Sequence, residues 1–532
     1  VTSAKPIDAV VVGAGFAGLY LLHKLRMLGF SVVSYEAGSD VGGTWYFNRY
    51  PGARCDVESF DYSYSFDPVI EQEWTWTERF ATQPEILRYI GFVADRLDLR
   101  RDIRFDTRVA AAQWQETAHL WDVTTDQGET VAARYLILAT GSLSAAKAPD
   151  ITGLATFGGE TLFTSSWPED GVDLSGRRVG IIGTGSSGIQ AIPLIAEQAD
   201  HLTVFQRTPA FSLPARNAPL DEAAIAERKR RYREHRAACR ATQTGVLFRS
   251  TDQSALVLDE AARRAVYEQA WAYGGQDFIR TFKDLILDHR ANETAADFVR
   301  DKIAEIVTDP RTATALTPRN FPIGSKRVAV DTNYYETFNR PNVALVDLRE
   351  TPIETIEPGG VRTTAGLTEI DTLVLATGFD AITGSFLRIA VENGNGLTLA
   401  DKWAAGPQTY LGLGVSGFPN LFIVAGPGSP SVLVNMVLAG EQHAEWIADC
   451  LTAMRERGLT RIEAQADAEH GWVERVNKLA GRTLFMAGDS WYLGANVPGK
   501  PRVFMPFVGG FAAYADICAD VARDGYRGFS LS

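Results

Sequence analysis

The hydrophobic pattern changes period within the first thirty or so residues of the chain. Val10-Val11-Val12 is a β-branched run suited to a strand, while Leu19, Leu22 and Leu25 follow at helical spacing. Gly13-x-Gly15-x-x-Gly18 lies between them, so the pattern predicts strand, tight turn and helix. Ser31-Val32-Val33-Ser34-Tyr35-Glu36 then predicts a second strand ending in an acid, 18 positions after Gly18. The same succession returns 170 positions later: Val179-Gly180-Ile181-Ile182, Gly183-x-Gly185-x-x-Gly188, a helix, and His201 to Arg207 as the partner strand. Two later apolar runs, Leu136 to Gly141 and Leu373 to Gly378, each end in Ala-Thr-Gly and predict the return of each segment to its glycine turn.

This alternation implies an α/β fold with two Rossmann-like dinucleotide-binding domains. The first is expected to be discontinuous, over 1–141 and 379–532, and the second to span 142–213 and 325–378. Between them, 214–324 is rich in Ala, Arg, Glu and Leu and predicts a helical insertion in the second domain. Its basic stretch, Arg228 to Arg233, is flanked by Glu227 and Glu234 and reads as a solvated helix face.

Composition narrows the partners. The 532 residues carry 65 acidic and 52 basic side chains, a formal charge of −13, which argues against nucleic acid or an anionic membrane surface as the main partner. Cys55, Cys239, Cys450 and Cys518 are far apart, so neither a disulfide framework nor a zinc site is indicated and a reducing, cytoplasmic setting is expected. No apolar run has the form of a secretion signal or reaches membrane-spanning length. A monomer or weak oligomer is expected. His443, on a helix without a second histidine at metal-binding spacing, reads as part of a polar helix face. The aromatics from Tyr62 to Phe80 read as packing rather than a base-stacking platform.

The glycine turns carry the chemistry. The first glycine permits the turn, the second lets the backbone approach a pyrophosphate, and the helix N-terminus faces its charge. Gly13, Gly15 and Gly18 mark one site, Gly183, Gly185 and Gly188 the other. Glu36 can accept hydrogen bonds from both ribose hydroxyls, whereas Arg207 and Thr208 suit a ribose bearing a 2′-phosphate. FAD is therefore expected at the first site and NADP(H) at the second. Two such cofactors imply hydride transfer to the flavin, and the scattered cysteines disfavour a disulfide reductase.

The segment Gly42-Gly43-Thr44-Trp45, four residues, Tyr50-Pro51-Gly52, three residues, Asp56 resembles the Baeyer–Villiger monooxygenases. The resemblance extends through Phe157-x-Gly159 to Trp167-Pro168, Gly324 to Arg327, Ala425 to Ser431 and Ser490 to Lys500, and is greatest to the phenylacetone and steroid subgroup. It implies NADPH- and O2-dependent conversion of ketones to esters or lactones through a flavin C4a-peroxide and a tetrahedral adduct. By the same resemblance, Arg327 is the active-site arginine and Asp56 its carboxylate partner. Lys326, Arg207 and Thr208 would meet the 2′-phosphate, Tyr62 and Trp491 would enclose the cofactors, and Thr44 and Trp45 belong to the flavin motif. Thr184 and Gln190 would lie near the NADP backbone, and Met436 near flavin and substrate. Phe163 stands where the family carries a histidine in the linker, and a phenyl ring neither titrates nor hydrogen-bonds. An N- or S-oxygenating flavin monooxygenase is the alternative enzyme, and a non-oxygenating flavin redox sensor the alternative outside catalysis.

Overall fold

The computed structural model describes residues 5–147 and 149–532. Its first sheet runs, in spatial order, Ala390–Glu392, Val109–Gln115, Leu120–Thr125, Thr130–Leu138, Ile7–Val12, Val32–Tyr35 and Ile103–Arg104, with Leu421–Ile423 also paired to Thr130–Leu138. Ile7–Val12 is parallel to both neighbours, with Val12 level with Tyr35 on one side and Leu138 on the other. Helices cover this part of the sheet, which is why Val10, Val11, Leu136, Ile137 and Leu138 form continuous apolar runs with no polar alternation. Phe16–Met27 packs across it against the long helix Met436–Glu456.

The second sheet has the order Val343–Asp347, His201–Gln206, Arg178–Ile182, Thr372–Leu375 and Glu160–Phe163, parallel throughout. Ile182 is level with Phe205 and Leu375, so the glycine turn, the end of the partner strand and the Ala-Thr-Gly segment emerge at one edge. Phe163 ends the outermost strand, opposite Leu375, and packs against an apolar cluster containing Ile182 and Phe205. The position where the resembled family has a titrating side chain therefore belongs here to an apolar layer.

Between the strands Ser212–Pro214 and Ala329–Asp331, which pair in parallel, the chain forms the helices Glu222–Arg230, Tyr232–Arg240, Glu260–Tyr273, His289–Ile306 and Pro310–Leu316. All but Tyr232–Arg240 start at aspartates whose side chains accept from free backbone N–H groups: Asp221, Asp259, Asp288 and Asp309.

The basic stretch is not one solvated face. The chain breaks at Arg231 into two helices, and Tyr232 is buried. Arg228 lies over the Phe60 ring, Lys229 donates to the Gln72 carbonyl at 2.7 Å, and only Arg230, Arg231 and Arg233 face solvent. Packing against residues 60–72 divides the run, because the long basic side chains cover apolar surface as well as carrying charge. None of the described helices is long and apolar enough to cross a membrane.

Candidate active site

Both glycine turns open onto one cleft of about 570 Å³, a volume in the range of cofactor and ligand pockets. Gly13 and Gly183 each adopt a positive φ, +106° and +113°, which a side chain would strain. A Cβ on Gly18 or Gly188 would lie 1.9 Å or 2.2 Å from the carbonyl oxygen of Gly13 or Gly183, so the third glycine of each turn serves close packing. At Gly185 a Cβ would meet nothing within 4 Å, because that backbone faces the open cleft. Helices Phe16–Met27 and Ser186–Gln198 begin at Gly15 and Gly185 with no side-chain cap, leaving backbone N–H groups and positive dipole ends toward the cleft. That arrangement fits a pyrophosphate at each turn.

Glu36 is buried beside the first turn, with Oε2 accepting from Ala14 N at 2.7 Å and Oε1 from Gly38 N at 2.8 Å. Burial raises its pKa, and the backbone donors oppose that rise. Thr44, Trp45, Tyr62 and Met436 line the same end of the cleft. Trp45 Nε1 donates to Tyr62 Oη at 3.1 Å, and their rings meet edge to face. Trp491, on the short turn Trp491–Leu493, reaches the cleft from the C-terminal part of the chain.

Arg327 and Asp56, 271 residues apart, meet in the lining of the cleft. Nη2 donates to both carboxylate oxygens at 2.6 and 2.7 Å, Nε donates to Oδ2 at 3.0 Å, and Nη1 donates to the Val432 carbonyl at 3.0 Å. This is a bidentate pair that fixes the guanidinium plane. Burial opposes the charge of Arg327, but the Asp56 carboxylate more than offsets it, so the pKa is raised above the ordinary arginine value. Gln276, from the helical segment, donates to Asp56 Oδ2 at 2.9 Å.

The residues expected around the second nucleotide fall into two groups. Gly185 and Gln190 line the cleft. Gln190 has its amide engaged by the chain itself: Oε1 accepts from Tyr50 Oη at 2.8 Å, and Nε2 donates to the Arg54 carbonyl at 3.0 Å. Gly183 and Thr184 lie beneath the turn, and Thr184 Oγ1 donates to the Thr208 carbonyl at 3.1 Å. Arg207 and Thr208 are exposed at the end of the partner strand. Lys326 lies near them: burial lowers its pKa, and the charge of Arg207 adds to that lowering. Lys147 is affected in the same order by burial and by Arg207, so three cations converge there.

Sequence reasoning missed Lys147, Gln276 and Tyr492. Burial raises the pKa of Tyr492, while the neighbouring Arg327 pulls it down. Its position next to Trp491 in the matching C-terminal segment was the available signal, whereas nothing local marks Gln276. His443 is not on a polar face. It is fully buried, Nδ1 accepts from Ala425 N at 2.9 Å, and Nε2 lies 2.8 Å from Tyr514 Oη. Because Tyr514 donates its own proton to the Leu411 carbonyl, His443 is the neutral Nε2–H tautomer, and burial pushes its pKa down to about 3. The helix carrying it runs through the core between two other helices, which is why a short polar sequence there does not make a polar face.

The pattern of the pyridine nucleotide-disulphide oxidoreductase family matches residues 7–267. All four cysteines are free and buried, so the disulphide chemistry in that description has no counterpart here. The chain is 43% identical to a Baeyer-Villiger monooxygenase of Pseudooceanicola batsensis, over 99% of this chain and 96% of that protein. It is 42% identical to 2-oxo-Delta(3)-4,5,5-trimethylcyclopentenylacetyl-CoA monooxygenase of Pseudomonas putida, over 99% and 98%. Among solved structures, an oxidized steroid monooxygenase bound to NADP is 52% identical and superposes with a TM-score of 0.95, covering 99% of each chain.

Proposed function

The chain belongs to the Baeyer–Villiger monooxygenases, and from that membership we propose how its own residues carry out the reaction. The protein oxidises ketones to esters or lactones, using FAD and NADPH with O2 as co-substrate. Bound FAD and NADPH supply the hydride and the oxygen-activating chemistry. The observation that carries the assignment of roles is the bidentate Arg327–Asp56 pair inside the cleft that joins both glycine turns.

Arg327 is a fixed cation that keeps its proton throughout, so it stabilises negative charge as it develops on the ketone oxygen and cannot act as a general acid. Asp56 sets the plane of that guanidinium, and Gln276 in turn steadies Asp56. At the flavin end, Gly13, Gly15 and the helix start beyond them hold the pyrophosphate and Glu36 takes the ribose, with Thr44, Trp45, Tyr62 and Met436 enclosing the ring system. At the nicotinamide nucleotide end, Gly183, Gly185, Gly188 and Thr184 form the phosphate turn. Arg207, Thr208 and Lys326 receive the 2′-phosphate, an anion that relieves the mutual repulsion of the cations there. Gln190 acts through its hydrogen bonds to Tyr50 and Arg54, tying the two nucleotide regions together. Trp491 helps close the cleft and exclude water. The four buried free cysteines support the proposal of a cytoplasmic protein, and light scattering on the FAD-loaded enzyme tests the further proposal of a monomer or weak oligomer.

A product-resolved assay tests the reaction: purified FAD-loaded enzyme with NADPH, O2 and a panel of aryl, steroid and large cyclic ketones plus a thioether. Ester or lactone formed in step with NADPH consumption is the expected result. Sulfoxide alone would overturn the ketone assignment.

A further inference from the structure

Beyond Arg327, away from the main cleft, lies a side chamber of about 60 Å³ that shares Arg327 and Val432 with the cleft. A single water takes up on the order of 10–15 Å³ of such a cavity, so the chamber has room for a small group of a few heavy atoms and none for a nucleotide. Its walls are mainly apolar, including Ile279, Ile286, Phe485 and Tyr492. Among the described residues its lining contains three cationic side chains, Arg280, Lys326 and Arg327, and no carboxylate.

Two of these cations have acidic company. Arg327 is paired with Asp56, and Lys326 feels the charge of Asp489. Arg280 has none. Its Nε is buried without a hydrogen-bond partner among the described residues, its guanidinium lies 5.9 Å from the centroid of the Phe248 ring, and it forms no salt bridge with a described residue. Burial lowers its pKa, and the charge of the neighbouring Arg327 lowers it further. A partly buried guanidinium whose Nε is cut off from any partner and which has no counter-charge is destabilising for the folded protein, and an anionic ligand relieves that penalty. The planar fork of arginine matches a carboxylate in geometry, and the small apolar chamber suits a short carbon arm ending in one.

We propose that Arg280 is a specificity-determining residue that binds the carboxylate of a keto acid whose carbonyl faces Arg327. This rests on the Baeyer–Villiger reading and deepens it: the preferred ketones carry an anionic arm that reaches past the reacting centre into the side chamber. The apolar lining makes the discrimination two-sided. A neutral polar arm enters without a counter-charge to gain, while a carboxylate meets the one cation of the chamber on which no described carboxylate acts.

The test uses (2-oxocyclohexyl)acetate and its neutral primary amide. Calorimetric titration of the oxidised enzyme loaded with FAD and NADP⁺ measures binding without turnover. The carboxylate is expected to bind about tenfold or more tighter than the amide, the range of a charge-assisted hydrogen bond. In Arg280→Met that ratio falls to near one, and Arg280→Lys keeps part of it. The same pattern is expected in the ratio of kcat/KM for the two substrates. The proposal is overturned if the wild-type enzyme does not prefer the carboxylate, if Arg280→Met weakens both ligands equally, or if its main effect is a raised KM for NADPH. Should no ketone be oxidised, the reaction assigned above fails while the titration still decides the role of Arg280.

Discussion

Arg327 illustrates what a single residue decides in this protein. Its guanidinium is held by one carboxylate and one backbone carbonyl, so its charge is both permanent and fixed in direction. A lysine could carry the charge, but it could not keep the two-pronged geometry. Arg327→Ala is expected to lower the rate of ester formation by about 10²–10³-fold, the range for removing a fixed oxyanion donor, while the protein still purifies yellow with FAD. Product chromatography together with the flavin absorbance checks this, and retained product yield would remove Arg327 from its assigned role. At the same scale, the glycines of one motif have different duties. Gly18 makes room for the helix beneath the turn, and Gly185 leaves backbone bare to the cleft.

At the scale of elements, the paired strands Ser212–Pro214 and Ala329–Asp331 are where the chain leaves the second sheet and returns to it. Asp331 ends the second of these strands fully inside the protein. Its carboxylate accepts from Ser212 Oγ and from Tyr334 N, yet burial outweighs both donors and pushes its pKa up to about 6. The unfolded carboxyl loses its proton near 3.8. Between those two values the folded chain binds more protons than the unfolded one, so this group makes stability fall as pH rises from about 4 to about 6, with the loss complete above that. Asp331→Asn stays neutral throughout. Its Tm relative to the wild type is therefore expected to increase across that window, and a pH-independent difference in scanning fluorimetry would refute the argument.

At the scale of the whole molecule, the helical segment is bound back onto the first nucleotide region through buried polar contacts. Arg236 Nε donates to Glu71 at 2.9 Å, with both side chains largely buried, and His235 hydrogen-bonds Asp61. Arg240 reaches the buried Glu441, whose carboxylate also accepts from Ser65 N at 2.5 Å. Through Gln276 the same segment supports the Asp56–Arg327 pair, so its docking and the active-site geometry are linked. Arg236→Met leaves the Glu71 charge without its partner and is expected to destabilise the protein by about 3–5 kcal/mol, seen as a lower Tm and easier loss of FAD on heating. An unchanged melting curve would show that the pair contributes nothing to docking.

The sequence by itself determined what is local. Each glycine turn, its preceding β-branched strand and its following helix lie within about thirty residues, and backbone sterics with hydrophobic period suffice to specify them. Glu36 and Arg207 stand at the ends of their partner strands for the same reason, and the motif from Gly42 to Asp56 carries the family resemblance in fifteen consecutive residues. Asp56 and Arg327, 271 positions apart, were joined in the sequence only through that resemblance, because no local pattern records a pair so distant. Only the tertiary structure decided the burial of His443, the division of the basic stretch at Arg231, the arrival of Gln276 beside Asp56, and the seclusion of Arg280 without a carboxylate. These depend on which segments pack together across hundreds of residues, and the same side chain is solvated, paired or left alone according to the surface that closes over it.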